Sequence, residues 1–290
     1  MARLNQRRSE NIPGDFYVDS TCIDCDTCRW MAPDIFQSAG EQSAVYSQPR
    51  TEAERLRAMQ ALLACPTASI GTVEKPKDIK VAQQSLPLLV ADNVYHCGYH
   101  AESSFGAASY FIQRAEGNIL IDSPRFAAPL VKRLEEMGGV RYLYLTHRDD
   151  VADHQKFHDH FKCDRLLHTD EINSGTRDVE VKISGAEVFQ LADDVVIIPV
   201  PGHTKGHTVL LYQQKFLFSG DHLAWSERLQ QLNAFRNACW YSWSEQTKSM
   251  HKLADYTFEW VLPGHGRRYN AEAATMKLQM QKCIQWMEKS

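Results

Sequence analysis

Four apolar runs in this 290-residue chain each end in a loop that carries His or Asp. Tyr142-Leu143-Tyr144-Leu145 leads into Thr146-His147-Arg148-Asp149-Asp150-Val151-Ala152-Asp153-His154. The run from Asp194 to Val200 leads into Pro201-Gly202-His203-Thr204-Lys205-Gly206-His207. Phe216-Leu217-Phe218 leads into Ser219-Gly220-Asp221-His222, and Trp260-Val261-Leu262 into Pro263-Gly264-His265-Gly266. Short apolar runs rich in β-branched and aromatic residues are buried strands. The Gly and Asp beyond them let the backbone turn sharply and present a side chain. Independent surface histidines do not land at strand ends this regularly. The pattern therefore predicts a β-layered structure whose loops converge at one edge and hold metal at two sites.

The surrounding elements suit that architecture. Residues 107–112 and 118–122 are two β-rich segments around Arg114-Ala115-Glu116-Gly117, a hairpin. Leu130, Val131 and Leu134 recur at helical spacing and the pattern stops at Gly138-Gly139. A helix is expected over 152–161, with Phe157 and Phe161 one turn apart and His158 and His160 as surface or packing residues. Leu166-Leu167-His168 and Glu187-Val188-Phe189 are further strands, and 271–288 is a terminal helix with Met276, Leu278, Met280, Ile284 and Met287 available to a buried stripe. The stretch Phe235–Trp243 lies between the Asp221 and His265 loops; Arg236 is a candidate anion contact there, Trp240 and Trp243 either line a pocket or, the leading reading, pack the layer, and Cys239 is a buried thiol.

Residues 12–80 have a different texture. Cys22, Cys25 and Cys28 stand at C-x2-C-x2-C spacing, which wraps a loop around one face of an iron–sulfur cube. The fourth thiolate comes from Cys65, followed by Pro66. A tetrahedral zinc is the alternative, but three cysteines at this spacing crowd one ion. Thr51 and Glu54 form a capping box for a helix that buries Leu56, Met59 and Leu63 and delivers Cys65 from its C-terminal end. The charged, Pro-containing segment 74–80 reads as a linker. Boundaries of 1–80 for the cysteine domain and 85–290 for the second follow. This first unit, through YVDSTCIDCDTCRWMAPDIF (17–36) and ACPTASI (64–70), resembles the small single-cluster bacterial-type ferredoxins, which implies one [4Fe–4S] cluster on Cys22, Cys25, Cys28 and Cys65. Asp19, Asp24, Asp26 and Asp34 crowd the cluster edge, either as a solvated face or as an acidic docking surface for a redox partner.

The second unit, over 90–270, resembles the metallo-β-lactamase superfamily, most closely its glyoxalase-II-like branch, through THRDDVADH (146–154), PGHTKGH (201–207), FSGDH (218–222) and LPGHG (262–266). The resemblance implies an α+β chain: an αββα sandwich preceded by the small α+β ferredoxin-like domain. It also implies one metal on His147, Asp149 and His203, and a second on Asp153, His154 and His265, with Asp221 bridging. Asp153 and Asp221 would then be the catalytic carboxylates, around a metal-activated water as nucleophile.

The first motif departs from the family's H-x-H-x-D-H. Asp149 stands where the second His belongs, and two extra residues precede Asp153-His154. Three readings follow: Asp149 is a ligand and the turn bulges; Asp150 takes that role with Asp149 outside it; or the first site is lost and one metal binds. A carboxylate in place of imidazole makes the site harder, favouring iron or manganese over zinc. It also resembles the di-iron centre of flavodiiron proteins, although no flavodoxin-like domain fits in this length. The leading expectation is a metallo-hydrolase acting on a small-molecule ester, thioester or lactone. The alternatives are an iron-dependent oxidoreductase with O2 or NO chemistry fed by the cluster, and an electron-transfer protein with a degenerate second site. The tail from Tyr269 holds one helix, so the helical substrate domain of glyoxalase II is not expected.

Composition narrows the partners. A net charge of -4 without a basic block argues against nucleic acid, and no apolar run is long enough to span a membrane. The basic N-terminus lacks an apolar segment behind it, and the eight cysteines are not spaced as a disulfide scaffold. A cytoplasmic protein with metal-ligating cysteines is the expectation.

Overall fold

The computed structural model describes residues 2–290. It resolves into two compact units, Met1–Arg141 with Ala152–Cys163, and Tyr142–Val151 with Asp164–Ser290. The boundary expected near residue 80 thus falls inside the first unit.

In the first unit, β1 (Phe16–Val18) pairs antiparallel with β4 (Ile70–Thr72), Val18 opposite Ile70, so the chain entering the Cys22 loop lies beside the chain leaving Cys65. Between them come α1 (Thr27–Met31), a hairpin of β2 (Phe36–Ala39) and β3 (Gln42–Val45), and α2 (Glu52–Ala64). The capping box forms as expected: Glu54 N donates to Thr51 Oγ1 at 3.1 Å, and the Glu54 carboxylate accepts from Thr51 N at 3.3 Å. The buried face of α2 differs from the expected one. Ala58, Met59, Ala61 and Ala64 are fully enclosed with Phe16, Ile35 and Phe36, whereas Leu56 and Leu63 are half-buried. Small residues let α2 approach its neighbours closely, and a reading by large apolar residues alone passes over them.

The expected linker contains part of a short helix, α3 (Ile79–Gln84), anchored by Asp78, whose carboxylate accepts from Arg55 Nε at 2.6 Å. An antiparallel meander follows: β5 (Leu88–Ala91), β6 (Val94–His96), β7 (Tyr110–Ile112) and β8 (Ile119–Ile121). This segment packs on the cysteine segment. His100 N donates to Ala64 O at 3.2 Å and Arg125 Nη2 to Leu63 O at 3.1 Å. Helix α4 (Ala128–Glu136) buries Leu130, Val131 and Leu134 and ends where Gly139, at φ +77°, donates its N–H back to Leu134 O. Helix α5 (His154–Phe161) completes the unit; His158 bonds Cys163 O and His160 bonds Glu135, the packing and surface roles expected.

The second unit begins with three parallel strands, β9 (Tyr142–Tyr144), β10 (Asp164–His168) and β11 (Val181–Ile183). Its larger sheet has six strands. In spatial order they are β12 (Phe189–Ala192), β13 (Val195–Pro199), β14 (Thr208–Tyr212), β15 (Phe216–Gly220), β18 (Trp260–Pro263) and β19 (Tyr269–Asn270). The hairpin β16 (Ala224–Ser226) and β17 (Gln231–Asn233) and helix α6 (Trp243–Leu253) lie between β15 and β18 in the chain. Helix α7 (Ala273–Lys289) closes the core with Met276, Met280, Ile284 and Met287, packed with Ile198, Val209, Leu211 and Val261. Leu278, expected in that stripe, is 58% exposed: 278 falls on the face opposite 276, 280, 284 and 287.

Strand direction explains how the ligand loops meet. β13 and β14 are antiparallel, so the loop leaving Pro199 lies beside the start of β14; β14 and β15 are antiparallel, so that start lies beside the end of β15. β15 and β18 are parallel, with Phe218 opposite Leu262, which puts the Asp221 and His265 loops at the same edge. Thr208 N donates to Thr146 O at 3.0 Å and draws the end of the β9 segment to that edge. Among the described residues no helix is long and apolar enough to cross a membrane.

Candidate metal centres

At that edge of the second unit, His147, Asp149 and His203 bring one ligand atom each within 4.8 Å of one another, and so do His147, Asp150 and Asp221. Asp221 Oδ2 lies 3.8 Å from His147 Nε2 and 3.7 Å from His203 Nε2; Asp149 Oδ2 lies 3.7 and 3.9 Å from the same two nitrogens. Ligands at about 2.0–2.1 Å around a tetrahedral ion stand about 3.3 Å apart, so each of these His–Asp pairs is within about half an ångström of ligand spacing. His265 Nδ1 lies 2.8 and 2.9 Å from the two Asp221 oxygens.

The buried polar atoms are those a metal would satisfy. His147 and His203 are enclosed, and among the described residues His147 Nε2 and both ring nitrogens of His203 have no hydrogen-bond partner. An unpaired buried nitrogen costs about 1–3 kcal/mol unless something coordinates it. Thr146 Oγ1, 3.0 Å from His147 Nδ1, occupies that nitrogen and leaves Nε2 for the ion. Burial holds His147 and His207 well below the usual imidazole pKa and pushes His222 down to about 3, so all three are neutral near pH 7. Burial alone would raise the Asp221 carboxyl, but His265, His147 and His203 hold it well below the carboxylate range. Neutral imidazoles around an ionised carboxylate are a divalent-metal donor set.

Two glycines make room for this arrangement. A Cβ on Gly264 would stand 2.8 Å from Asp150 Oδ2 and 3.0 Å from Asp221 Oδ1; one on Gly220, at φ +50°, would meet Thr146 Oγ1 and His207 Nε2. The enclosed Glu171, with no sequence signature, links two ligand loops. Its Oε2 accepts from Arg148 N at 3.0 Å and Nε at 2.9 Å, and its Oε1 from Gly206 N at 2.7 Å. His207 and His222 complete a buried imidazole group: His207 stacks on His147 at 5.0 Å and lies 5.8 Å from His222, and Asp221 N donates to His207 Nε2 at 3.2 Å.

Asp153 and His154 belong to the first unit. Asp153 Oδ2 accepts from Phe126 N and Oδ1 from Lys156 Nζ, both at 2.8 Å, and His154 is the buried first residue of α5. Neither is in the two ligand groups, whereas Asp150 is. Arg236 is not at the cleft; it stacks on Trp243 at 5.1 Å and bonds Ser290 O. Trp240, read as packing, is 67% exposed, and with Tyr241, Arg148, Asp149, Thr204 and Lys205 it lines an open cleft of about 690 Å³ beside the metal ligands.

In the first unit Cys22, Cys25, Cys28 and Cys65 line one pocket, all as free thiols. Ser43 N donates to Cys22 Sγ at 3.5 Å and Ser69 N to Cys65 Sγ at 3.3 Å. Burial pushes the Cys25 and Cys28 thiols up, so ionising these two requires a bound cation to replace the protons. Most of the acidic edge is spoken for: Asp24 and Asp26 share Arg29, and buried Asp19 caps Thr21 and accepts from Arg3 N. Asp34 stays exposed.

Residues 18–72 match the family model of the 4Fe-4S single cluster domain of Ferredoxin I. Solved metallo-β-lactamases match the chain at the level of structure. VMB-1 does so at TM-score 0.53 and 18% identity, covering 69% of this chain and 96% of its own. A metallo-β-lactamase from Pontibacter korlensis does so at TM-score 0.51 and 17% identity, with 70% and 98% covered. FIM-1 from Pseudomonas aeruginosa, in a mono-zinc form, gives TM-score 0.52 and 16% identity, with 69% and 93% covered. The fold is that of the metallo-β-lactamases. A single-cluster ferredoxin domain precedes it, and the class is α+β. No curated protein matches the sequence.

Proposed function

We propose that this metallo-β-lactamase-fold chain is a metal-dependent hydrolase of a small ester, thioester or lactone, carrying a [4Fe–4S] cluster on Cys22, Cys25, Cys28 and Cys65. The observation that carries it is the set of enclosed, unpartnered nitrogens of His147 and His203 facing Asp149 and Asp221 beside an open cleft. His147, Asp149, His203 and Asp221 would hold the first ion, and Asp150 or His265 would extend the set toward a second. Asp153 and His154, the resemblance's further ligands, lie outside the two ligand groups. Bound there, a divalent ion supplies Lewis acidity and lowers the pKa of water.

The protein's own groups do the rest. Asp221 is ionised and fixed by His265, so it orients without being consumed as a base. Thr204 lines the cleft beside Asp149, with its hydroxyl enclosed beneath that wall. Arg148 and Lys205 are paired with Glu171 and Asp170, which leaves the rim near neutral. The exposed rings of Trp240 and Tyr241 offer flat apolar faces, so the favoured substrate is a small uncharged carbonyl compound with an apolar or aromatic group. Zinc, iron or manganese suits the donors. The free cysteines suit a reducing cytoplasm, and a redox partner would meet the cluster edge at Asp34.

The second reading is an iron-dependent oxidoreductase using O2 or NO with electrons from the cluster. The three carboxylates Asp149, Asp150 and Asp221 around the imidazoles of His147 and His203 favour it, because that set suits harder ions than zinc. Metal analysis of the anaerobically purified full chain, with an ester, thioester and lactone panel run with and without dithionite, decides between them. Zinc beside four cluster irons and hydrolysis indifferent to reductant supports the hydrolase. Iron beyond the cluster, with reductant-dependent O2 or NO consumption and no hydrolysis, overturns it.

A further inference from the structure

One buried polar chain lies outside the metal site and ends on a cluster ligand. Thr27, the first residue of α1, is 1% exposed, and its Oγ1 lies 3.4 Å from Cys25 Sγ and 3.1 Å from His100 Nδ1. His100 Nδ1 also lies 2.6 Å from Gly106 O, and His100 Nε2 lies 2.8 Å from His96 Nε2. Both histidines are enclosed, with the Trp30 ring 5.0 Å from that of His96. The turn that carries Gly106 lies against the cluster pocket: a Cβ there, at φ +83°, would stand 2.8 Å from Cys25 Cβ and 3.0 Å from Cys25 Sγ. Thr27 belongs to the ferredoxin domain, whereas His96, His100 and Gly106 come from the chain after it.

The donors and acceptors within reach indicate where the hydrogens lie. Gly106 O only accepts, so His100 Nδ1 carries a hydrogen. In the neutral ring His100 Nε2 then has only a lone pair, and His96 Nε2 supplies the hydrogen between the two. The His100 Nδ1–H is shared with Thr27 Oγ1, which makes that oxygen an acceptor on this side. The hydroxyl hydrogen of Thr27 then has two acceptors in reach, Gly106 O at 3.5 Å and Cys25 Sγ at 3.4 Å; Gly106 O already accepts from His100 Nδ1 at 2.6 Å, and a Cys25 thiolate is the charged acceptor of the two, which favours the sulfur.

We propose that Thr27, positioned by His100 and His96, donates a hydrogen bond to the Cys25 sulfur and raises the reduction potential of the cluster. This rests on the four-cysteine ligand set and is independent of the hydrolase reading. Hydrogen bonds to ligand sulfurs stabilise the reduced, more negative cluster and are a principal control of its potential. Three residues beyond the ferredoxin domain would thereby tune its one-electron couple.

The test is an EPR-monitored dithionite titration of the full chain with four irons bound. Thr27→Val keeps the shape of the side chain and removes the donor; its midpoint potential is expected to fall below wild type. Thr27→Ser restores the hydroxyl and is expected to titrate as wild type. His100→Phe leaves Cys25 and Thr27 in place but unfixes the hydroxyl, and is expected to shift the same way as Thr27→Val by a smaller amount. It carries the test alone if Thr27→Val does not retain the cluster. Thr27→Val or His100→Phe with four irons and the wild-type potential overturns the proposal. So does Thr27→Ser shifted as far as Thr27→Val, which would mark packing as the cause. If neither Thr27→Val nor His100→Phe retains iron while Thr27→Ser does, a structural role is indicated and the proposal fails.

Discussion

Replacing Gly264 by Ala adds one methyl group at the most crowded point of the metal site. That carbon would stand 2.8 Å from Asp150 Oδ2 and 3.0 Å from Asp221 Oδ1, four to six tenths of an ångström inside ordinary contact. Neither carboxylate is the loose end of a flexible side chain. Asp150 is fully enclosed and Asp221 is pinned by His265 Nδ1 at 2.8 and 2.9 Å. Overpacking of this kind costs about 1–3 kcal/mol. Metal–ligand distances tolerate roughly ±0.2 Å, so the cost falls on the loaded state. Metal affinity is therefore expected to drop about 5- to 150-fold, at about 1.4 kcal/mol per tenfold. Calorimetric titration of the demetallated chain with zinc measures this directly. Gly175→Ala is the control, since its Cβ would sit at an ordinary 3.4 Å from Asn173 Oδ1. Wild-type zinc affinity and stoichiometry in Gly264→Ala would refute the placement of Asp150 and Asp221 at the metal.

Glu171→Gln removes the charge that ties Arg148 to Gly206, and is expected to weaken metal binding several-fold while the circular dichroism spectrum stays unchanged; an unchanged affinity would show that the clamp is irrelevant to the ligand loops. Met280→Ala, in the enclosed core, should cost about 2–5 kcal/mol in denaturant unfolding. Leu278→Ala, two residues away and exposed, should stay within about 0.5 kcal/mol. Glu180 makes a bidentate pair with the enclosed Arg165, and Arg165 pulls its carboxyl down to about 2 from 4.5 despite the opposing effect of burial. A lowered folded-state pKa contributes stability above the unfolded value that is lost as pH falls toward the folded one. Stability should therefore decline between about pH 5 and pH 2, and Glu180→Gln should flatten that limb in pH-dependent urea melts.

Much of this was legible because it follows from local rules. Thr51 and Glu54 bound a helix by capping alone, and the spacing of Cys22, Cys25 and Cys28 names a chemistry. The strands before His203, Asp221 and His265 are continuous apolar runs, so their loops could be placed at strand ends. What escaped depends on contacts distant in sequence. Glu171 became important only because the fold sets it beside Arg148 and Gly206. Asp150 joins a ligand group only in the fold, since spacing alone does not tell which of two adjacent Asp side chains turns inward. Packing is the leading reading for Trp240 because aromatic residues usually are buried; in the fold its N–H is bonded to His203 O and its ring stays exposed at the cleft.

The small turn around Gly106 bears on how such a chain can be taken apart. A piece ending after residue 80 would carry all four cysteines, yet Leu63 O and Ala64 O would lose their donors Arg125 and His100, and the Cys25 sulfur would lose its cover. Iron–sulfur chemistry in air is destroyed by oxidants reaching the sulfurs, so the excised piece should bleach faster than the whole. Part of what lies over the Cys25 sulfur is thus encoded downstream of the ferredoxin domain's own end.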